Sequence, residues 1–524
     1  MFNSLRWHSY IVPFLQAAVF GVVAGTITQT QINLHFIQSI GGQVSLADRL
    51  GTTVHDLLNF TPTFVVLFVP GFLISQCLAF WVSKRLRQIP RVFWMAVAGA
   101  ASLWLAITVL DVVAPTPGIV YATVPTFGLL LLMACAGLAG VVFEWRTSVK
   151  EVRMGAGRFR SFAVLAVLAA LLPTAGWSAG GYQTTVLADN LNKPWSLGFL
   201  PDGRALITEK PGSLRLLSAN GKLDPKPIEG VPEVLFQGQG GLLEVLPSFD
   251  FASSQMVYLS YSCGRSSANH TCVAKGKLDG YTLTDVQEIF RSQFAKRGGA
   301  HFGGRMVWLA DNTLVLTLGD GYTYRNEAQN NENHLGTLVR LNPDGSVPKD
   351  NPFVNDSKAK PEIYSYGHRN VQGLVYDAAN NRLYEQEHGA KGGDEINLVE
   401  PGKNYGWPLA TYGVDYSGAE ITPFTQYEGT EQPIVYWTPS IAPSGMALYT
   451  GDLFSQWKGH LLVGALAGRH LRLVKLDGTK VVGQEVLLDE LNARIRDVRQ
   501  GPDGAVYVLT DSTQGQLIKL TPAN

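Results

Sequence analysis

The chain is poor in charge and in cysteine. Of its 524 residues only 16% are Asp, Glu, Lys or Arg, and Lys+Arg 42 balance Asp+Glu 42 to a formal net charge of zero. With no basic surplus to neutralise a phosphate backbone, nothing global points to a nucleic-acid partner. No histidine/cysteine cluster has zinc spacing. No Gly-x-Gly-x-x-Gly lies between a strand and a helix, which argues against a nicotinamide site. Of the four cysteines, Cys77 and Cys135 lie in apolar runs and read as small buried hydrophobes. Cys263 and Cys272 bracket a polar loop between two strand-like runs. They read either as a hairpin disulfide, which requires an oxidising compartment, or as two free surface thiols.

The length suggests two or three domains, and the apolar residues are unevenly spread. Residues 1–180 form a helical module with apolar runs of spanning length near 10–28, 61–82, 92–113, 122–143 and 161–178. Arg6, then Lys84, Arg85, Arg87 and Arg91, then Arg146, Lys150, Arg153, Arg158 and Arg160 all fall on one side of these runs. By the positive-inside rule the N-terminus is cytoplasmic and residues after 178 lie outside. The fifth run reads either as a last span, with Trp177 and Tyr182 as interfacial anchors, or as a cleaved export signal. His35 and His55 fall in the first outer link, so no histidine pair is set up within the spans to hold a haem. Acids buried in the membrane are absent too, with Asp111 near a span end. The spans read as an anchor.

From residue 181 to 524 the pattern changes to short strands between Gly, Asp and Asn turns. One phrase, a turn followed by an alternating apolar strand, recurs at 201, 254, 311, 380, 458 and 502. Six copies give roughly 57 residues per unit, slightly more than an ordinary propeller blade, the surplus being inserted loops. The expected fold is therefore an all-β six-bladed β-propeller behind about five transmembrane helices. A stretch at 184–187 is placed to complete the last blade beside 516–520. A two-sheet sandwich is the alternative, but it leaves six copies of one phrase unexplained.

A propeller gathers its loops round a central channel, where separate polar motifs meet. Gly298, Gly299, Gly303 and Gly304 flank His301, and the strand-like run after it ends on Gly319-Asp320-Gly321. A histidine on one loop and an aspartate closing the next strand suit a base and its orienting carboxylate; a glycine-rich hairpin with a capping histidine is the plain alternative. Gln239 stands among glycines. Arg369, Asn370 and Gln372 share a loop. Arg494 and Arg496 share a strand face, where they either salt-bridge to neighbours or bind a planar polyanion. The stretch from Glu387 through Gly389, Ala390 and Glu395 to Tyr405 is rich in oxygen donors and suits Ca²⁺.

Together these motifs resemble the quinoprotein glucose/sorbosone dehydrogenase family, in particular its soluble aldose sugar dehydrogenases that use pyrroloquinoline quinone. The matching phrases are Gly-Gln-Gly-Gly-Leu-Leu at 238, His-Phe-Gly-Gly-Arg at 301, Leu-Gly-Asp-Gly at 318 and Leu-Val-Arg-Leu-Asn-Pro-Asp-Gly at 338. They continue with Arg-Asn-Val-Gln-Gly at 369, Gly-Gly-Asp-Glu-Ile-Asn at 392, Asn-Tyr-Gly-Trp-Pro at 404 and Arg-Ile-Arg-Asp-Val at 494. The resemblance implies that His301 is the general base and Asp320 its partner. It implies that Gln239, Arg369, Asn370, Tyr416, Arg494 and Arg496 hold the cofactor. The carbonyls of Gly389 and Ala390 would hold a Ca²⁺ at the quinone, and Glu395 and Tyr405 a second, structural Ca²⁺.

Two departures stand out. Ala390 replaces the family's usual proline, and Ala467 its cofactor-contacting lysine, with Arg469 nearby as a substitute. The implied protein is an inner-membrane, periplasm-facing oxidoreductase acting on an aldose. It would pass electrons to a membrane quinone or a cytochrome, anchored in the lipid bilayer. The alternative is a membrane-anchored propeller that only binds a ligand or protein.

Overall fold

In a computed structural model, residues 4–113, 120, 123, 126–150 and 181–523 are described. They fall into two compact units, one mainly the N-terminal helices and one mainly the sheets from residue 181 onward.

The first unit holds α1 (Ser4–Ser39), α2 (Leu46–Asn59), α3 (Thr61–Arg85), α4 (Arg91–Val113) and α5 (Thr126–Lys150). Of these α1, α3, α4 and α5 are long and apolar enough to cross a membrane. The run at 161–178, expected as a fifth span, lies outside the described residues. The first link is not a loop as expected. His35 sits on the continuing α1 and His55 on α2, whose N-terminus Ser45 and Asp48 close with a reciprocal capping box.

Close fits of shape join these helices. Phe60, Phe64, Phe68 and Phe72 recur every fourth residue and their buried rings stack in a column along α3. Gly21 and Gly25 of α1 admit that column: a Cβ on Gly25 would lie 2.4 Å from the Phe64 ring. Arg91 of α4 pairs with Glu144 of α5 at 2.8 Å. Cys77 is exposed rather than buried, and Cys135 is half-exposed, its sulfur 3.3 Å from the Thr28 hydroxyl of α1.

The second unit is a six-bladed propeller. Five blades have four antiparallel strands and the first, residues 194–217, has three. The first strands are Pro194–Phe199, Leu242–Pro247, Met306–Trp308, Val371–Asp377, Pro443–Leu448 and Ile495–Gln500. Each touches the next, and the last touches the first, which makes a closed ring round a channel. Every copy of the recurring phrase forms the second strand of its blade. Those at Ala205–Glu209, Leu314–Thr317, Leu461–Ala465 and Val506–Thr510 are buried along their whole length, on both faces. Alternation is therefore weaker than expected, because each blade is covered by a neighbour on either side. One such seam packs Tyr258 and Val273 against Met306, Leu314 and Leu316.

Closure comes from the chain ends. Tyr182–Leu191 pairs with Gly515–Pro522, with Thr184 opposite Leu520 and Val186 opposite Ile518. The blade formed by 242–291 carries the Cys263–Cys272 disulfide, whose Cα atoms are 6.1 Å apart. Since the bridge closes a short loop, replacing both cysteines by serine should cost about 2–3 kcal/mol through a freer unfolded chain. Calorimetry should then show a lower propeller transition, and an unchanged midpoint would mean the bridge does not constrain this blade.

Candidate active site

Antiparallel strands put the start of a blade's first strand beside the end of its second. Loops entering first strands and loops leaving second strands therefore share one face of the ring. Gln239, His301, Arg369, Asn370 and Arg494 lie just before first strands. Asp320, Gly389, Ala467 and Asp511 follow second strands. Residues up to some 270 positions apart meet there.

At the centre His301, 3% exposed, places Nδ1 2.6 Å from Asp320 Oδ1. His301 adopts φ 49°, a conformation rare outside glycine, and its N–H donates to Gln239 Oε1 at 2.8 Å. The two loops touch backbone to backbone. A Cβ on Gly319 would lie 2.4 Å from the His301 carbonyl oxygen, so glycine is required there. Asp320 is saturated with donors: Oδ1 also accepts from the Tyr322 N–H at 2.7 Å, and Oδ2 from Trp407 Nε1 at 2.8 Å. Burial works against its charge, but His301, Arg369 and the Tyr322 N–H outweigh it and hold the carboxyl below the usual range. Burial lowers the imidazole, and Arg369 and Lys296 add to this against the pull of Asp320. A neutral ring donating Nδ1–H to a carboxylate leaves Nε2 as its basic atom. The pair can accept a proton from a bound hydroxyl.

Arg369 lies on the far side of the Asp320 loop. Its guanidinium donates to the carbonyls of His388, at 3.0 Å, and of Gly389, and faces the Trp407 ring 5.2 Å from its centroid. Glu387 accepts from the backbone N–H groups of Arg369 and Asn370. Asn370 Oδ1 accepts from the Gly303 N–H at 3.3 Å. Tyr416 is exposed and its ring lies parallel to that of Tyr322, centroids 6.4 Å apart. Tyr322 in turn meets His301 edge-on at 5.1 Å.

Across the ring Arg494 and Arg496 both reach Asp511 Oδ2, at 3.0 and 3.3 Å. The salt-bridge alternative is thus realised, yet one carboxylate serves two arginines. Lys210 adds a third cation, its Nζ donating to the Gly238 carbonyl at 3.0 Å. Burial pushes Lys210 down to about 8, with Arg496 adding to the effect. The buried Nε atoms of Arg496 and Arg369 have no hydrogen-bond partner in the protein. Surplus cations with unused donors fit a planar polycarboxylate such as the implied quinone. Arg469 turns instead to Asn492 Oδ1 at 3.4 Å, so it does not stand in for the lysine missing at Ala467.

The oxygen-rich segment also converges. Gly389, Glu395 and Tyr405 line one small cavity together with Glu387, and Ala390 is buried beside it. The Tyr405 hydroxyl donates to the Leu398 carbonyl at 2.8 Å and accepts from the Glu400 N–H at 2.8 Å. Glu385, Glu387 and Glu395 crowd one buried region, and Glu385 Oε2 has no hydrogen-bond partner. Burial and then Glu387 and Glu385 push the Glu395 carboxyl well above its usual range. Burial works to lower His368, but Glu385 and Glu387 outweigh it and push it up to about 9. A set of crowded carboxylates and carbonyls fits a hard divalent cation.

Sequence reasoning missed three contributors. Trp407 and Glu387 orient the machinery; Trp407 stands inside a recognised phrase with no role assigned, and the Ca²⁺ reading of its stretch gives Glu387 no positioning role. Arg305, last residue of the His-Phe-Gly-Gly-Arg phrase, pairs with Glu244 at 3.1 Å and Asp497 at 2.9 Å under the site. No local signal marks those partners, which come from other blades.

The glucose/sorbosone dehydrogenase family model matches residues 191–519. Aldose sugar dehydrogenase YliI of Escherichia coli (strain K12) is 45% identical over 361 residues, covering 67% of this chain and 96% of its own. Quinoprotein glucose dehydrogenase B of Acinetobacter calcoaceticus is 29% identical over 415 residues, covering 63% and 86%. Among solved structures, the apo-form of the soluble aldose sugar dehydrogenase from Escherichia coli is similar with TM-score 0.63 and 43% identity, over 65% of this chain and 100% of that one. The PQQ-bound aldose sugar dehydrogenase from Streptomyces coelicolor gives 0.53 and 28%, over 66% and 100%.

Replacing Trp407 by Phe removes the donor to Asp320 Oδ2 and leaves a buried carboxylate oxygen short of a partner. The expected loss is about 1–3 kcal/mol, read from the thermal transition of the propeller. A loss near zero would mean that the indole N–H does not hold the aspartate.

Proposed function

Because the chain belongs to the glucose/sorbosone dehydrogenase family, we propose that it is a membrane-tethered dehydrogenase oxidising aldose sugars to lactones, with His301 as general base. The observation that carries this reading is the buried His301–Asp320 contact, beside a surplus of cations. Pyrroloquinoline quinone, held by Gln239, Arg369, Asn370, Arg494 and Arg496 with Tyr416 at the rim, would supply the acceptor for the anomeric hydride, and Ca²⁺ at the Gly389 and Ala390 carbonyls a Lewis acid. His301 Nε2 takes the proton of the sugar's anomeric hydroxyl. Asp320 keeps the ring in the tautomer that frees Nε2 and stabilises the imidazolium that forms. Trp407 and the Tyr322 N–H hold Asp320 charged for that purpose. Glu395 and Tyr405 serve a second calcium, structural in role.

The basic clusters support a cytoplasmic N-terminus. Four spans return the chain to its starting side, so a periplasmic propeller requires the run at 161–178 to cross a fifth time. The Cys263–Cys272 bridge supports the oxidising side. Electrons would leave to a membrane quinone or a cytochrome. One observation favours a non-catalytic binding propeller instead: Ala467 stands without a lysine, and Arg469 points elsewhere.

Dye-linked dehydrogenase activity of membranes, with the quinone and Ca²⁺ added or withheld over a panel of aldoses, separates the two. Activity should need both, and His301→Ala should lower kcat by about 100-fold or more. Because the imidazole lies below its ordinary value of 6.5 and must be neutral, kcat/KM should fall only as pH drops below that value. Absent activity together with absent cofactor binding by titration would leave the binding propeller. A C-terminal alkaline phosphatase fusion should be active in the periplasm, and an inactive one would place the propeller inside.

A further inference from the structure

Lys296 lies five residues before His301 and has no part in the reaction above. Its side chain is buried. Its Nζ donates to the Ala300 carbonyl at 2.8 Å and sits 3.3 Å from the centroid of the Phe302 ring. One ammonium thus grips both residues that flank the histidine. Lys296 is itself fixed, since its backbone N–H and C=O both bond to Asn269, at 3.0 and 2.9 Å. That residue belongs to the disulfide-bearing strand Ala268–Asp279. The clamped segment holds an unfavourable conformation: His301, not a glycine, has φ 49°. Such conformations persist only where the surroundings enforce them.

We propose that Lys296 is a positioning residue for His301: its ammonium, held between the Ala300 carbonyl and the Phe302 ring, fixes the backbone that keeps Nδ1 on Asp320, and its charge disfavours the imidazolium. The charges acting on His301 are Asp320, which favours protonation, and Arg369 and Lys296, which oppose it. Burial pushes Lys296 itself down to about 7 against the pull of Asp320, so its charge is present below that value. The inference rests on the dehydrogenase reading only for the kinetic consequence, since the clamp is a property of the protein without cofactor.

The test uses the full chain in detergent or membranes, with K296M, which keeps length and volume, and K296Q, which keeps a donor without charge. Amide exchange followed by mass spectrometry on the cofactor-free protein should show residues 297–303 losing protection in K296M and retaining most of it in K296Q. In the loaded enzyme K296M should lose about 10- to 100-fold in kcat from misplacement of the base, with the KM for sugar within about twofold. In both variants the acid limb of kcat/KM should move to higher pH, which a merely structural role would not produce. Unchanged exchange in K296M, or an unmoved acid limb in both variants, would overturn the proposal. Faster exchange in K296M with an inactive wild type would uphold the clamp and sink the dehydrogenase reading instead.

Discussion

The antiparallel pairing of the strand at Tyr182–Leu191 with that at Gly515–Pro522 is the constraint on which the catalytic face depends. Each blade buries its strands only against the next blade, so an open ring would expose two whole sheet faces. Closure also fixes the channel. Four charges, the buried Arg305, Glu244 and Asp497 and the half-buried Arg499, link loops and strands from separate blades at 2.6–3.1 Å. A buried pair of this kind is costly to break, because the remaining charge has no water to turn to. The network therefore penalises any slip of one blade against another, and His301, four residues before Arg305, inherits that rigidity.

On this scaffold the charges are sorted by sign. Lys210, Arg494 and Arg496 surround the single carboxylate of Asp511, whereas Glu385, Glu387 and Glu395 surround the single imidazole of His368. Either surplus alone would be unfavourable in a buried setting. Both become sensible if a polyanion meets the first and a divalent cation the second. Between them lies Arg369, its guanidinium on the carbonyls of the carboxylate-rich loop and its own carbonyl accepting from the Asp320 N–H at 2.9 Å. The dyad thus sits at the border of the two fields, where burial and the neighbouring cations push the imidazole below its ordinary value against the pull of Asp320.

The helical unit obeys a different rule. Its seams combine ring columns and glycine gaps with a few polar contacts, among them Arg91 with Glu144 and the Thr30 hydroxyl donating to the buried Asp56 carboxylate at 2.7 Å. Ring stacking and small residues at close approach are the contacts open to helices apolar enough to span a membrane.

Period and turn chemistry alone determined the six repeats, the all-β class and the closing role of the stretch at 184–187, because a strand and its turn are local and recur with the blade. Hydropathy and length likewise determined four helices able to span a membrane. His301 and Asp320 were legible because glycines mark loops that must approach closely, and such glycines are visible in one dimension. Tertiary structure alone decided that second strands are buried on both faces, that His35 and His55 lie on helices, and that Arg469 turns away from the site. It also decided the partners of Arg305 and the grip of Lys296 on Ala300 and Phe302. The partners of Arg305 depend on which blade faces which, and contact with a residue as distant as Glu244, 61 positions away, leaves no local trace in composition or spacing.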